Sequence, residues 1–308
     1  MTNLTYSLLM PTCNRPALLK RHLESLSAQT RLPFEVIVID QSDNGESKQV
    51  FNEWNPQNVK KKYIHRQIKS LILARNAGLD LCDSTDLVAF FDDDIVLSPH
   101  FSAHLVRVFE NDKEGVYAGG MGTIEGKSYN LRPLQTFFLM PRDGSGSFLP
   151  NGVPTFPHWK KDFSETEFLS GGITFWRRKI IQEYRYDERL IGYGHGDDVD
   201  VSYRISRKHK LFFEPKAVCQ HDDHSPGRDG LRKYRRAWIQ NMYYLAQKNK
   251  ASRFAFAWCI LGHFLRDLVC RDFYGARGDL EGAWNVLRGR IDTVVDYQGF
   301  KKCLKESS

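Results

Sequence analysis

The chain has 308 residues, 41% hydrophobic and 26% charged, a composition that buries a core and excludes a disordered or fibrous protein. Lys and Arg outnumber Asp and Glu by 44 to 37, a formal +7 that suits anionic substrates, phosphates or an anionic membrane surface and does not call for nucleic acid. No stretch reaches the roughly 18 uninterrupted apolar residues of a membrane span.

The six cysteines form no CxxC pair, which points to free thiols in a reducing compartment. The N-terminal MTNLTYSLLMPTCNRP lacks the charged and apolar regions of a signal peptide. The chain is therefore expected in the cytoplasm.

In chain order, Tyr6–Pro11 is a short apolar run bounded by turn residues, as in a buried strand. Leu18, Leu19, His22, Leu23 and Leu26 then recur at helical spacing, with Pro16 suited to a first turn. Val36–Ile39 predicts a second strand, ending in Asp40 and a polar turn, and KKYIHRQ a third. A helix is expected from Ser70 through LILARNAGLDLC, and DLVAFFDDD gives a fourth strand. PHFSAHLVRVFEND reads as a helix and EGVYAGGMG as a fifth strand. From Glu125 to Glu167 the chain turns irregular and rich in Gly, Pro and aromatics, a kind of loop that is usually functional or mobile. FLSGGITFWRRKII restores a strand and a helix, GYGHGDDVDVSYRI reads as a loop and helix start, and LFFEPKAVCQH as a strand. From Arg232 the chain is helical and basic.

Strands alternating with helices predict a mostly parallel sheet covered on both faces, whose ligands collect at the carboxyl ends of the strands. Asp40 and Asp92–Asp94 both follow strands and so fall on that rim. Adjacent carboxylates repel one another, and three of them behind Phe90 and Phe91 point to a divalent cation. On a strand alternate side chains share a face, so Asp92 and Asp94 point the same way and offer the hard oxygen ligands that suit Mg²⁺ or Mn²⁺. The competing reading is a solvated turn capping the helix that follows Pro99.

Asp197 and Asp198 open a helix after Gly192, Gly194 and Gly196, where one carboxylate beside another can be tuned as a general base or can serve as an N-cap. His221 and His224 sit among acids at a strand end and are open to a metal or phosphate role, or to an ordinary surface turn. Arg228, Arg232, Lys233, Arg235 and Arg236 could neutralise a diphosphate or form a solvated helix face. RFAFAWCILGHFLRDLVCRDF is the most apolar segment. It could lie on an anionic membrane or pack as a core helix.

In order and spacing, LLMPTCNRP, FEVIVIDQSDN, LILARNAGL, FFDDDIVLSP, FLSGGITFWRR and GYGHGDDVDVSYRI resemble the inverting glycosyltransferases of family 2, over roughly Tyr6 to Leu211. The resemblance implies an α/β GT-A fold, a Rossmann-like nucleotide-diphospho-sugar transferase sheet flanked by helices. That domain is expected over residues 1–228, with a basic and apolar C-terminal helical extension over 229–308. It further implies that Pro11, Thr12 and Arg15 border the base and ribose, that Asp40 contacts the nucleoside, and that Arg75 and Asn76 back the sugar-nucleotide. Many relatives carry a second acid where this chain has Gln41, which leaves uracil or thymine open.

Asp92–Asp94 resemble the DxD motif, with Asp94, Asp92 and His221 around Mn²⁺ or Mg²⁺ and Asp92 and Asp93 toward the donor. Gly171 and Gly172 resemble the turn beneath the donor sugar. Asp197 and Asp198 resemble the family's Glu-Asp pair, with Asp198 as the base. The implied partners are a UDP- or dTDP-linked sugar and a glycan or lipid-linked acceptor. Peripheral contact with the inner face of a membrane is left open, and no nucleic acid is expected. A non-catalytic sugar-nucleotide-binding protein on the same scaffold is the alternative; its mark would be a degraded DxD motif or base. A nucleotidylyltransferase would need a glycine-rich N-terminal loop, which MPTCNRP does not provide.

Overall fold

The computed structural model describes residues 3–126, 133–190, 194–222 and 228–295. Gly192, His224 and Cys303 lie outside these residues, as does the side chain of Arg228. The first half alternates strand and helix: β1 (Tyr6–Thr12), α1 (Pro16–Ser27), β2 (Glu35–Asp40), α2 (Glu46–Glu53), β3 (Lys60–His65), α3 (Leu71–Leu81) and β4 (Leu87–Phe91). Pro16 stands in the first turn of α1, where its missing N–H costs no hydrogen bond. Ser70 caps α3 by accepting the Leu73 N–H. β1, β2 and β4 are buried along their whole length, as central parallel strands covered on both faces must be. Burying Phe90 and Phe91 contributes about 1.5–3 kcal/mol each.

The second half adds β5 (Ile95–Leu97), α4 (Phe101–Asn111), β6 (Tyr117–Ile124), α5 (Pro133–Phe137), β7 (Ser164–Thr166), β8 (Ile173–Arg177), α6 (Arg178–Tyr184), α7 (Asp197–Ser206) and β9 (Lys210–His221). The mixed, mostly parallel sheet runs β3-β2-β1-β4-β8-β6-β9-β5, with β7 on β9. β8 enters antiparallel between β4 and β6. Because it runs backwards, the loop before β8 lies on the same rim as the carboxyl end of β4.

Three local readings change. The polar turn after Asp40 continues into α2. β4 stops at Phe91, so Asp92–Asp94 occupy the turn into β5 and strand alternation does not govern where they point. Short β5 and β7 are held by pairing to the distant β9.

The C-terminal helices are α8 (Arg228–Lys248), α9 (Arg253–Val269) and α10 (Phe273–Leu287). Ile239, Met242 and Leu245 of α8 join the same core as the sheet. Gly278 and Gly282 put α10 against the α8 backbone, where a side chain would overlap Arg232, Arg235 or Ile239. Arg235 is buried where the three helices meet, 2.6 Å from Asp279, 3.4 Å from Asp267 and 2.9 Å from His263 Nδ1.

Candidate active site

The rim carries two cavities. One, of about 520 Å³, is lined by Pro11, Thr12, Arg15, Lys69 and Asp92–Asp94. The other, of about 310 Å³, is lined by Arg75, Gly171, Gly172, Asp197, Asp198 and the aromatics of α8. Leu71 and Asp92 belong to both walls.

In the first cavity, the buried Thr12 hydroxyl donates to Asp93 Oδ2 at 2.6 Å. Arg15 lies 3.0 Å from Asp94 and 3.4 Å from Asp93. Burial pushes the Asp93 carboxyl up to about 6, against the Thr12 hydrogen bond and Arg15. Burial would raise Asp94 as well, but the hydrogen bond and charge of His221, with Arg15, hold it below the usual range.

His221 Nε2 stands 3.3 Å from Asp94 Oδ1, a pair that is largely buried. Asp92 turns the other way, to Arg75. Among the described residues no three of His, Cys, Asp and Glu form a metal-ligating group, so Asp92 does not join Asp94 and His221 as expected. The remaining pair, one carboxylate and one imidazole, still fits a Mg²⁺ or Mn²⁺ ion whose other ligands come from water and diphosphate oxygens.

In the second cavity, Arg75 is buried with Nη2 3.1 Å from Asp92 and Nη1 against Asp197. It bridges the Asp92–Asp94 turn to the acidic pair. Gly196 starts α7 at φ +91, a left-handed backbone that favours glycine. Asp198 is half-buried and accepts the Val199 N–H at 2.8 Å and the Gly171 N–H at 3.3 Å. Burial raises both carboxyls, Asp197 and Asp198, with Arg75 pulling each down. Asp197 is thus committed to Arg75, whereas Asp198 faces the cavity with only backbone donors. A Cβ at Gly172 would overlap the Asp92 carboxylate, and one at Gly171 would come within 2.9 Å of Arg75. The Gly-Gly pair is what lets these side chains pass.

Other expected residues lie off the cavities. Asp40 is fully buried and accepts from the Ser42 N–H and the Tyr63 hydroxyl. Gln41 donates to the carbonyls of Ile68 and Ser70. Both brace the rim, and neither lines the larger of its two cavities. Asn76 clamps Tyr186 and Glu188. The basic run of α8 faces the extension instead of a diphosphate: Arg235 is in the buried cluster, Arg232 meets Glu281 at 3.7 Å, and Arg236 meets Asp292 at 3.5 Å.

The structure adds residues that the sequence reading did not single out. Tyr234, Trp238 and Met242, four apart on α8, turn one helix face into the wall of the second cavity, beside His195. Pro141, Val153, Pro154 and Phe156 of the irregular region complete it. The four-residue spacing was the available signal, and the surrounding arginines masked it.

The profile of Glycosyl transferase family 2 matches residues 7–185. The GalNAc(5)-diNAcBac-PP-undecaprenol beta-1,3-glucosyltransferase of Campylobacter jejuni is 27% identical over 190 residues, 60% of this chain and 56% of that protein. GalNAc-T7, solved with UDP, GalNAc and Mn²⁺, superposes with a TM-score of 0.56 at 18% identity, over 89% of this chain and 59% of its own. The mannosyltransferase PcManGT of Pyrobaculum calidifontis, solved with GDP-Man and Mn²⁺, gives a TM-score of 0.56 at 14% identity, over 98% of this chain and 84% of its own. These likenesses place the fold as GT-A. The chain spans about half, or less, of the length of the first curated relatives it matches.

Proposed function

The chain belongs to glycosyltransferase family 2, and we propose that it moves one sugar, with inversion, from a UDP- or dTDP-linked donor to a hydroxyl of a glycan or lipid-linked acceptor. The observation that carries this reading is the division of labour at the rim: Asp197 is held by Arg75, while Asp198 is presented to the cavity that shares Asp92 with the neighbouring one.

In this reading the nucleoside diphosphate occupies the larger cavity, bordered by Pro11, Thr12 and Arg15, with Asp92 and Asp93 beneath it. The sugar crosses the shared wall of Asp92 and Leu71, resting on Gly171 and Gly172. The acceptor enters the smaller cavity against Tyr234 and Trp238. Asp198 accepts the proton of the acceptor hydroxyl as its oxygen bonds to the anomeric carbon. The bond from that carbon to the diphosphate oxygen breaks on the opposite face, and the electron pair leaves with the nucleoside diphosphate. A single in-line displacement inverts the centre.

Asp94 and His221 are the residues to hold a divalent cation, which when bound would offset the diphosphate charge. The structural neighbours solved with Mn²⁺ support that assignment. They were solved with UDP and with GDP-Man, and the Campylobacter enzyme's name carries an undecaprenyl diphosphate acceptor. We read residues 1–228 as the GT-A domain and 229–308 as a helical extension that supplies the acceptor wall.

The test is a thermal-shift panel of UDP, dTDP, GDP and their sugar conjugates, each with Mn²⁺ and with EDTA. A ligand of the folded state raises the transition by mass action. A metal-dependent shift with UDP or dTDP compounds supports the reading. No shift with any of them overturns it, and a shift with GDP compounds alone overturns the donor assignment.

A further inference from the structure

The helical extension is built with charge inside and apolar surface outside. Its inner side holds the buried Arg235–Asp279–Asp267–His263 cluster. On α9, Phe254, Leu261, Leu265 and Leu268 are exposed at positions i, i+7, i+11 and i+14. On α10, Phe273, Leu280, Trp284 and Leu287 are exposed at the same spacing. At 3.6 residues per turn each set forms one narrow stripe along its helix. The ends are the most open, Phe254 at 81% and Leu287 at 80%. Scattered exposed apolar residues are ordinary, but a stripe of large ones on each of two packed helices is not.

The exposed charges from Arg253 to Arg290 are all basic, and the exposed acid just beyond them, Asp292, pairs with Arg236. Arg253, Arg271, Arg277, Arg288 and Arg290 are exposed, while Asp267, Asp272, Asp279 and Glu281, the acids in this span, are buried or half-buried. A second copy of the chain paired on this face would set arginines against arginines. An anionic lipid surface instead meets them with phosphate and receives Phe, Leu and Trp into the acyl boundary.

We propose that the outer face of α9 and α10 docks on a bilayer rich in anionic phospholipid. The inference does not depend on the donor, the metal or the acceptor. The docking face is one helix layer from the candidate acceptor cavity, because α8 contributes Tyr234 and Trp238 to that cavity and packs against α10.

The test is flotation of the full chain with vesicles of phosphatidylcholine alone or mixed with phosphatidylglycerol. The chain should float with the mixed vesicles, partition about tenfold less to phosphatidylcholine alone, and be released by high salt. Phe254→Ser/Leu287→Ser and Arg253→Glu/Arg288→Glu, all at exposed positions, should each lower partitioning by about tenfold or more, with circular dichroism confirming the fold. Failure to float with phosphatidylglycerol, or flotation that neither double variant changes, overturns the proposal. So does a dimer of the native chain that Phe254→Ser/Leu287→Ser converts to monomer, which would make this face a contact between copies.

Discussion

Arg75 and Asp197 form a buried ion pair, and the same guanidinium holds Asp92 at 3.1 Å. One α3 side chain thereby fixes the distance between the end of β4 and the start of α7. Arg75→Met should leave Asp197 buried without its partner and destabilise the fold by about 3–5 kcal/mol, read by chemical denaturation. Arg75→Lys should recover part of that loss and little of the activity, since a single ammonium cannot reproduce the two-pronged bridge. Full activity in the lysine variant would remove the bridge from the site's design.

Asp198→Asn should lower turnover by about 10²–10⁴-fold, with donor affinity nearly unchanged in a calorimetric titration. Because burial raises the Asp198 carboxyl, its proton-accepting form is lost at a higher pH than for an ordinary carboxylate. The native turnover rate should therefore fall as pH drops through that raised value and level off above it. A rate that stays flat down to the usual carboxylate range would count against Asp198 as base.

Gly172→Ala should push the Asp92 carboxylate aside, since a Cβ there overlaps it. A displacement of about 1 Å at such a point can cost roughly 10²-fold in rate. The expected result is a large loss of kcat/KM with a small change in Tm. An equal loss of folding and activity would point to a structural role alone.

Trp238→Ala should raise the acceptor KM by about tenfold or more, in the range of removing an aromatic anchor from a pocket. Donor binding should not change, because Trp238 lines the smaller cavity and not the larger. A matching loss of donor affinity would mean that the two ligands are placed the wrong way round.

Much of this layout is legible in the sequence alone. β1, β2 and β4 announce themselves as apolar runs that stop at Pro11, Asp40 and Asp92, and Ser70 and Pro16 mark helix starts by local chemistry that needs no tertiary context. β5 and β7 were not legible: each is three residues long and exists by pairing with β9. The Arg75–Asp197 pair spans 122 positions, so no spacing rule reaches it. Asp92–Asp94 stand out as a cluster, yet their directions depend on a strand that ends at Phe91, three residues short of the end of DLVAFFDDD. In α8 the arginines drew attention as a charge run, while the residues facing the cavity are the aromatics between them.

The reversed course of β8 bears on how this chain can vary. Phe91 pairs with Ile173, and the Asp92 N–H donates to the Gly172 carbonyl at 3.1 Å. Side chains along a strand alternate, so a one-residue slip sends every one to the opposite face. A single insertion or deletion within Ile173–Arg177 would preserve strand composition yet carry Gly172 away from Asp92 or bring Ile173 against it. Length is therefore held far more tightly than identity here: β8 can exchange one buried apolar residue for another of similar size, but it cannot gain or lose one.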